Sequence, residues 1–98
     1  MATYIALCNF TEQGIRNVKQ TTQRREAAEA LARQCGVTMK NVRWTLGAYD
    51  LVAEIEAPDD QALTAFELAL AGQGNVRTQT MRAFSREGMD AILAKLPK

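Results

Sequence analysis

The side chains through which this sequence could do chemistry are Tyr4, Cys8, Arg43, Thr45, Tyr49, Asp50 and Glu54. Histidine is absent. That removes every Ser-His or Cys-His nucleophile pair and every zinc site that uses an imidazole. Any general base must therefore be a carboxylate, and Asp50 is the candidate. Burial raises a carboxyl pKa and prepares the group to accept a proton. Tyr4, Tyr49 or Arg43 would then steady an oxyanion. The same residues also read as plain structure. Asp50 can hold the sheet through an ion pair or a cross-strand hydrogen bond, with Thr45 as an ordinary partner. Tyr49 suits a core tyrosine with one satisfied polar tip. Trp44 suits a core or interface anchor. Cys8 and Cys35 form no C-x-x-C pair, and they read as small apolar filler rather than metal ligands or a disulfide. No metal and no cofactor are expected.

These residues need elements to hold them. Thr3 to Phe10 is β-rich and reads as a first strand. Residues 14–18 suit a turn or short helix. Thr21 or Thr22 is a plausible cap for a longer helix, in which Ala27, Leu31 and Cys35 recur at helical spacing with Ala28 beside them. Gly36 closes it. Val37 to Leu46 and Tyr49 to Ala57 read as two strands joined by a Gly47-Ala48 turn of type II′. Pro58, Asp59 and Asp60 start a second helix whose inner face is Ala62, Leu63, Phe66, Ala69 and Leu70. Asn75 to Phe84 is a fourth strand. Ser85 caps a last helix with Met89, Ile92, Leu93 and Leu96 turned inward.

The order β-α-β-β-α-β plus a C-terminal helix predicts an α+β, ferredoxin-like fold: an antiparallel sheet with helices on one face. A two-residue hairpin sets which residues share a face. It places Val42, Trp44, Leu46, Tyr49, Leu51, Ala53 and Ile55 toward the helices. Arg43, Thr45, Asp50, Val52 and Glu54 then lie on the open face. On the first strand Ile5 and Leu7 suit the helix side, which turns Tyr4, Ala6 and Cys8 to the open face. The fourth strand stays open between Val76, Thr78 and Thr80 on one side and Arg77, Gln79 and Met81 on the other.

Ninety-eight residues, 47% hydrophobic and 23% charged, predict one globular domain over residues 1–98. Net charge is +1, so bulk attraction to nucleic acid or to an anionic membrane is not expected. The charge is uneven: residues 1–43 and 73–98 are basic, and residues 44–72 carry only acidic charges. Such a layout suits internal pairing or contacts between subunits. No apolar run approaches a membrane span. The start of the chain lacks the basic region of a signal peptide, so a cytoplasmic location is expected. The third strand is acidic and lacks the aromatic pattern of an RNA-recognition sheet.

Three segments together resemble a known family: the opening M-A-T-Y-I-A-L-C-N-F-T-E-Q-G-I-R-N-V-K, the hairpin G-A-Y-D-L-V and the stretch G-N-V-R-T-Q-T-M-R-A-F. They are similar to the GYD domain proteins, whose named residues correspond here to Gly47, Tyr49 and Asp50. The resemblance implies a small bacterial protein of unknown function with a fold related to dimeric α/β-barrel proteins, in which open sheet faces pack together. It brings no established catalytic role. The expected function is a homo-oligomeric module, a dimer or an assembly of dimers, binding a small molecule or a partner between open sheet faces. The alternative is a small cofactor-independent enzyme, monooxygenase- or isomerase-like, with Asp50 as base.

Overall fold

The computed structural model describes all residues, Met1–Lys98. Four strands form one antiparallel sheet: β1 (Ala2–Phe10), β2 (Thr38–Trp44), β3 (Leu51–Ala57) and β4 (Val76–Ala83), in the order β2-β3-β1-β4. The helices are α1 (Glu12–Arg16), α2 (Thr21–Gln34), α3 (Asp60–Gly72) and α4 (Arg86–Leu93), with a 3-10 turn at Val18–Gln20. This is the ferredoxin-like α+β arrangement, with α2 and α3 against one face of the sheet. No helix is long and apolar enough to cross a membrane.

Local chemistry starts three of the four helices. The Thr11 hydroxyl accepts from the Gly14 amide, the Asp59 carboxylate from the Ala62 amide and the Ser85 hydroxyl from the Gly88 amide. Each bond satisfies an amide that the first helical turn leaves free. Helix α2 has no such side-chain cap. Instead Thr21 is its first residue, and its hydroxyl accepts from the Trp44 indole at 3.0 Å. Gly36 (φ 73°) takes the chain out of α2 in the left-handed conformation.

The core joins Tyr4, Ala6 and Cys8 of β1, Val42, Ala53, Ile55 and Ala57 of the hairpin strands, and Ala32, Leu63 and Phe66 of the helices. That corrects the expectation for β1. Tyr4, Ala6 and Cys8 face the helices, and Ile5 and Leu7 face the open side. Both sets are apolar, so alternation alone gives no sign. Pairing decides: Ala6 stands opposite Ala53, and Tyr4 opposite Ile55, so they share the helix face. On β4 the register to β1 is continuous, with Cys8 opposite Thr78 and Ala6 opposite Thr80. Val76, Thr78 and Thr80 therefore face the helices, and Arg77, Gln79 and Met81 face the open side.

The hairpin also differs from a two-residue turn. Trp44 pairs with Leu51 and Val42 with Ala53, as the predicted register requires, but the ladder ends there. Residues 45–50 form a six-residue loop. Gly47 (φ 120°) supplies the conformation this loop needs at its tip. A bulge between Met39 and Val42 moves the far end of β2 by one residue. Freed from the sheet, Leu46 is fully exposed rather than part of the core, and Trp44 is 42% exposed.

Two helices are turned differently from expectation. In α2 the buried stripe is Ala28 and Ala32, with Leu31 and Cys35 packed beside them, while Ala27 is exposed. In α3, Leu63 and Phe66 are buried and Ala69 is exposed. Helix α4 packs little on the rest of the chain. Met89, Leu93 and Leu96 are exposed rather than inward, as is Phe84 before the helix, and only Ile92 is half-buried. The radius of gyration is 14.9 Å, against about 13 Å for a compact chain of this length. The exposed apolar side of α4 is in keeping with that extended shape.

Candidate functional site

The open face of the sheet has an apolar middle and a polar border. Pairing brings Ile5 of β1 between Glu54 of β3 and Met81 of β4. Leu7 lies between Val52 and Gln79 in the same way. Arg43 stands opposite Val52 on the β2 side. Ile5, Leu7 and Val52 are half-buried by their neighbours alone, and Met81 is 50% exposed. No helix covers them. Arg43, Glu54, Glu56, Arg77 and Gln79 surround this strip with both signs of charge.

The loop at residues 45–50 closes one end of the face. Asp50 organises it. Its carboxylate accepts from the Phe10 amide at 2.9 Å, its own amide donates to the Cys8 carbonyl at 2.9 Å, and its carbonyl accepts from the Thr45 amide at 2.8 Å. Asp50 thus ties the end of β1 to the start of β3. The Thr45 hydroxyl donates to the Tyr49 carbonyl, which tightens the loop further. Tyr49 is half-buried rather than in the core. Its hydroxyl reaches over the open face to Gln79 of β4, donating to Oε1 at 2.7 Å. The longer loop explains this: without a two-residue turn, Tyr49 is released from the alternation that would have placed it under the helices.

The candidate residues therefore fall into two groups. Arg43, Thr45, Tyr49, Asp50 and Glu54 gather on the open face or in its loop. Tyr4 and Cys8 lie on the other side of the sheet, so an oxyanion set that includes Tyr4 is split from Arg43. The Tyr4 hydroxyl donates to Asp60 at the start of α3. That bond, followed by burial and the Asp60 charge, raises the Tyr4 pKa above its ordinary value. The Arg82 guanidinium lies over the Tyr4 ring, 5.6 Å from its centre, and over the Phe84 ring at 5.1 Å. Burial, with the Glu67 carboxylate adding to it, pushes the Cys8 thiol up to about 11. Cys8 is therefore a neutral thiol at ordinary pH and no nucleophile. Sequence reasoning placed Ile5 and Leu7 on the helix side, left the face of Met81 and Gln79 open, and missed Gln79 as the partner of Tyr49. Cross-strand pairing from the acidic β3 would have found them, because Glu54 belongs outside and Ile5 sits opposite it.

The GYD domain family model matches residues 4–93. A Thermus thermophilus protein described as "Glutamine synthetase and cystathionine beta-lyase binding protein" is 33% identical over 84 residues, covering 85% of this chain and 88% of that protein. Among solved structures, MtbAldR superposes with a TM-score of 0.67 at 13% identity, over 87% of this chain. The chain spans about half of that protein, 52% of its length. A putative chlorite dismutase, TA0507, superposes with a TM-score of 0.58 at 12% identity, over 95% of this chain and 48% of that one. At such identities the two structures share the fold and nothing finer.

Proposed function

The chain belongs to the GYD domain family, and on that premise we propose that it is a homo-oligomeric binding module whose open sheet faces pack together and whose assembly holds another protein. The observation that carries this is the strip of Ile5, Leu7, Val52 and Met81, which its own helices leave uncovered. A one-sided sheet with an apolar middle gains by burying that middle against a like surface. Two copies related by a two-fold axis present the same patch to each other, and the mixed charges around the strip allow Arg43 or Arg77 of one copy to meet Glu54 or Glu56 of the other. The exposed side chains of Phe84, Met89, Leu93 and Leu96 add apolar surface that an assembly would cover.

The partner reading is supported by the Thermus thermophilus relative, whose name describes binding to enzymes rather than a reaction. Glutamine synthetase is accordingly the first partner to test. In this reading Tyr49, Asp50 and Thr45 shape the rim of the interface, and Gly47 lets the loop turn. A cytoplasmic location is part of the same proposal. Native mass spectrometry tests the assembly: an even-numbered oligomer is expected at micromolar concentration, and a bare monomer there overturns the proposal. Immobilised protein challenged with purified glutamine synthetase tests the partner. Saturable binding that Leu7→Asp weakens is expected, and no binding removes that enzyme as the partner.

A further inference from the structure

The helices do not seal the sheet face they cover. Between α2, α3 and the middle strands runs a cleft that encloses about 80 Å³ and opens to solvent. Its floor is Ala6, Cys8 and Ala53, small side chains where a filled core would carry larger ones. Protein interiors rarely leave voids larger than a water molecule. This space is several times that size, and a ring could enter it with its substituent toward the open mouth.

The charges around the cleft are unevenly matched. Arg25 pairs with Glu29 at 2.6 Å. Arg24 donates to the carbonyls of Asn17 at 2.6 Å and Gly14 at 3.1 Å, and its guanidinium lies over the Phe10 ring at 5.9 Å. Glu67, on α3, lines the same cleft and has no cation beside it. Its carboxylate accepts one bond, from the Thr80 hydroxyl. A carboxylate has room for about four, and Glu67 is half-buried, so its remaining acceptor sites are open to a donor that enters the cleft. A hydrogen bond to a charged acceptor is stronger than one between neutral groups, and apolar walls beside it strengthen it further. Cys8 on the floor stays neutral, so Glu67 is the one acidic side chain in a lining that also holds Arg24 and Arg25, both engaged with other acceptors.

We propose that this cleft, on the opposite side of the sheet from the assembly face, binds a small, mainly apolar molecule that presents one hydrogen-bond donor, an amine or a hydroxyl, to the Glu67 carboxylate. The small floor residues make room for the apolar part. Glu67 selects for the donor.

The test uses three one-ring probes of similar size: benzylamine, phenol and benzene. Each is titrated into the intact protein while backbone amide chemical shifts are followed. Saturable shifts at Cys8, Ala53 and Leu70 are expected for at least one of the two donor probes, tenfold or more tighter than for benzene. Which donor binds tighter separates an amine ligand from a hydroxyl ligand. Glu67→Gln keeps the shape and removes the charge. It is expected to weaken the preferred probe at least tenfold if that probe is the amine, and about threefold if it is the phenol. Ala28→Leu fills the wall of the cleft and should abolish both, and Ala53→Val serves if that variant does not fold. The proposal is overturned if no donor probe shifts the cleft residues, if benzene binds as well as either donor, or if Glu67→Gln leaves the preferred probe unchanged.

Discussion

Replacing Gly14 with alanine tests how α1 is fastened to the sheet. A Cβ built on Gly14 would lie 2.0 Å from the Asn75 carbonyl oxygen and 3.0 Å from the Asn75 carbonyl carbon. Both atoms are backbone, so no flexible side chain can yield. The short helix and the entry to β4 must separate by over an ångström. Three bonds cross or border that contact. The Thr11 amide donates to the Asn75 carbonyl at 3.0 Å, the Thr11 hydroxyl to the Gly74 carbonyl at 2.5 Å, and the Gly14 amide to the Thr11 hydroxyl at 3.1 Å. Losing the first two costs about 1 kcal/mol each, and losing the cap costs about 1 kcal/mol more. Alanine returns about 1 kcal/mol through its better helix propensity. The net expectation is a loss of about 2 kcal/mol, or a Tm lower by about 10 °C for a chain of this size. Thermal unfolding followed by circular dichroism measures it. Gly72→Ala is the control, because an added Cβ there meets open space, and its Tm should stay within a few degrees of the parent. An unchanged or higher Tm for Gly14→Ala would refute the claim that this contact holds α1 in place.

Three further outcomes are expected. Asp50→Ala should leave the Phe10 amide without its acceptor and cost about 1–3 kcal/mol in urea unfolding, while Asp50→Asn, which keeps an oxygen there, should cost less; equal losses would mean the bond to Phe10 contributes little. The Cys8 thiol titrates at about 11 in the folded protein against 9.0 for the free group, so its contribution is whole below pH 9 and is lost as pH rises toward 11. Linkage makes the loss about 2–3 kcal/mol, and a Tm that falls no faster than that of Cys8→Ala between pH 9 and 11 would contradict it. Gly88→Ala meets nothing nearer than 3.5 Å and keeps the amide that Ser85 caps. It should stabilise α4 by about 0.5–1 kcal/mol, seen as added helical signal, and a loss of helix would count against the description of α4.

The order of elements and the helix starts at Asp59 and Ser85 were legible because each rests on local chemistry: a cap, a proline, a run of β-branched residues. The pairing of Val42 with Ala53 and Trp44 with Leu51 was legible for the same reason, since a nearby turn sets it. What the sequence left open depends on contacts between distant residues. Tyr4, Ala6 and Cys8 alternate with Ile5 and Leu7, and both sets are apolar because both sides of β1 have something to bury. Only the partners on β3 decide between them. The helix side takes the small residues, where they leave a cleft, and the open side takes Ile5 and Leu7. The loop at 45–50 was misjudged because Gly47 suits both a tight turn and a wider one. Asp50 favours the wider one through its bond to Phe10, a residue forty positions away. Helix α4 has a clear amphipathic pattern, but that pattern does not say which molecule its apolar side meets.

The central claim is that the strip of Ile5, Leu7, Val52 and Met81 is an assembly face. Sedimentation of the parent and of Leu7→Asp tests it most directly. Leu7 is half-exposed on the open face, so the variant should fold as the parent does. In an assembly it would bury an unpaired carboxylate from each copy, at a cost of about 3 kcal/mol or more, which weakens association over a hundredfold. The account predicts an even-numbered assembly for the parent and a folded monomer for Leu7→Asp at the same micromolar concentration. A monomeric parent, or a variant that assembles as well as the parent, would contradict it.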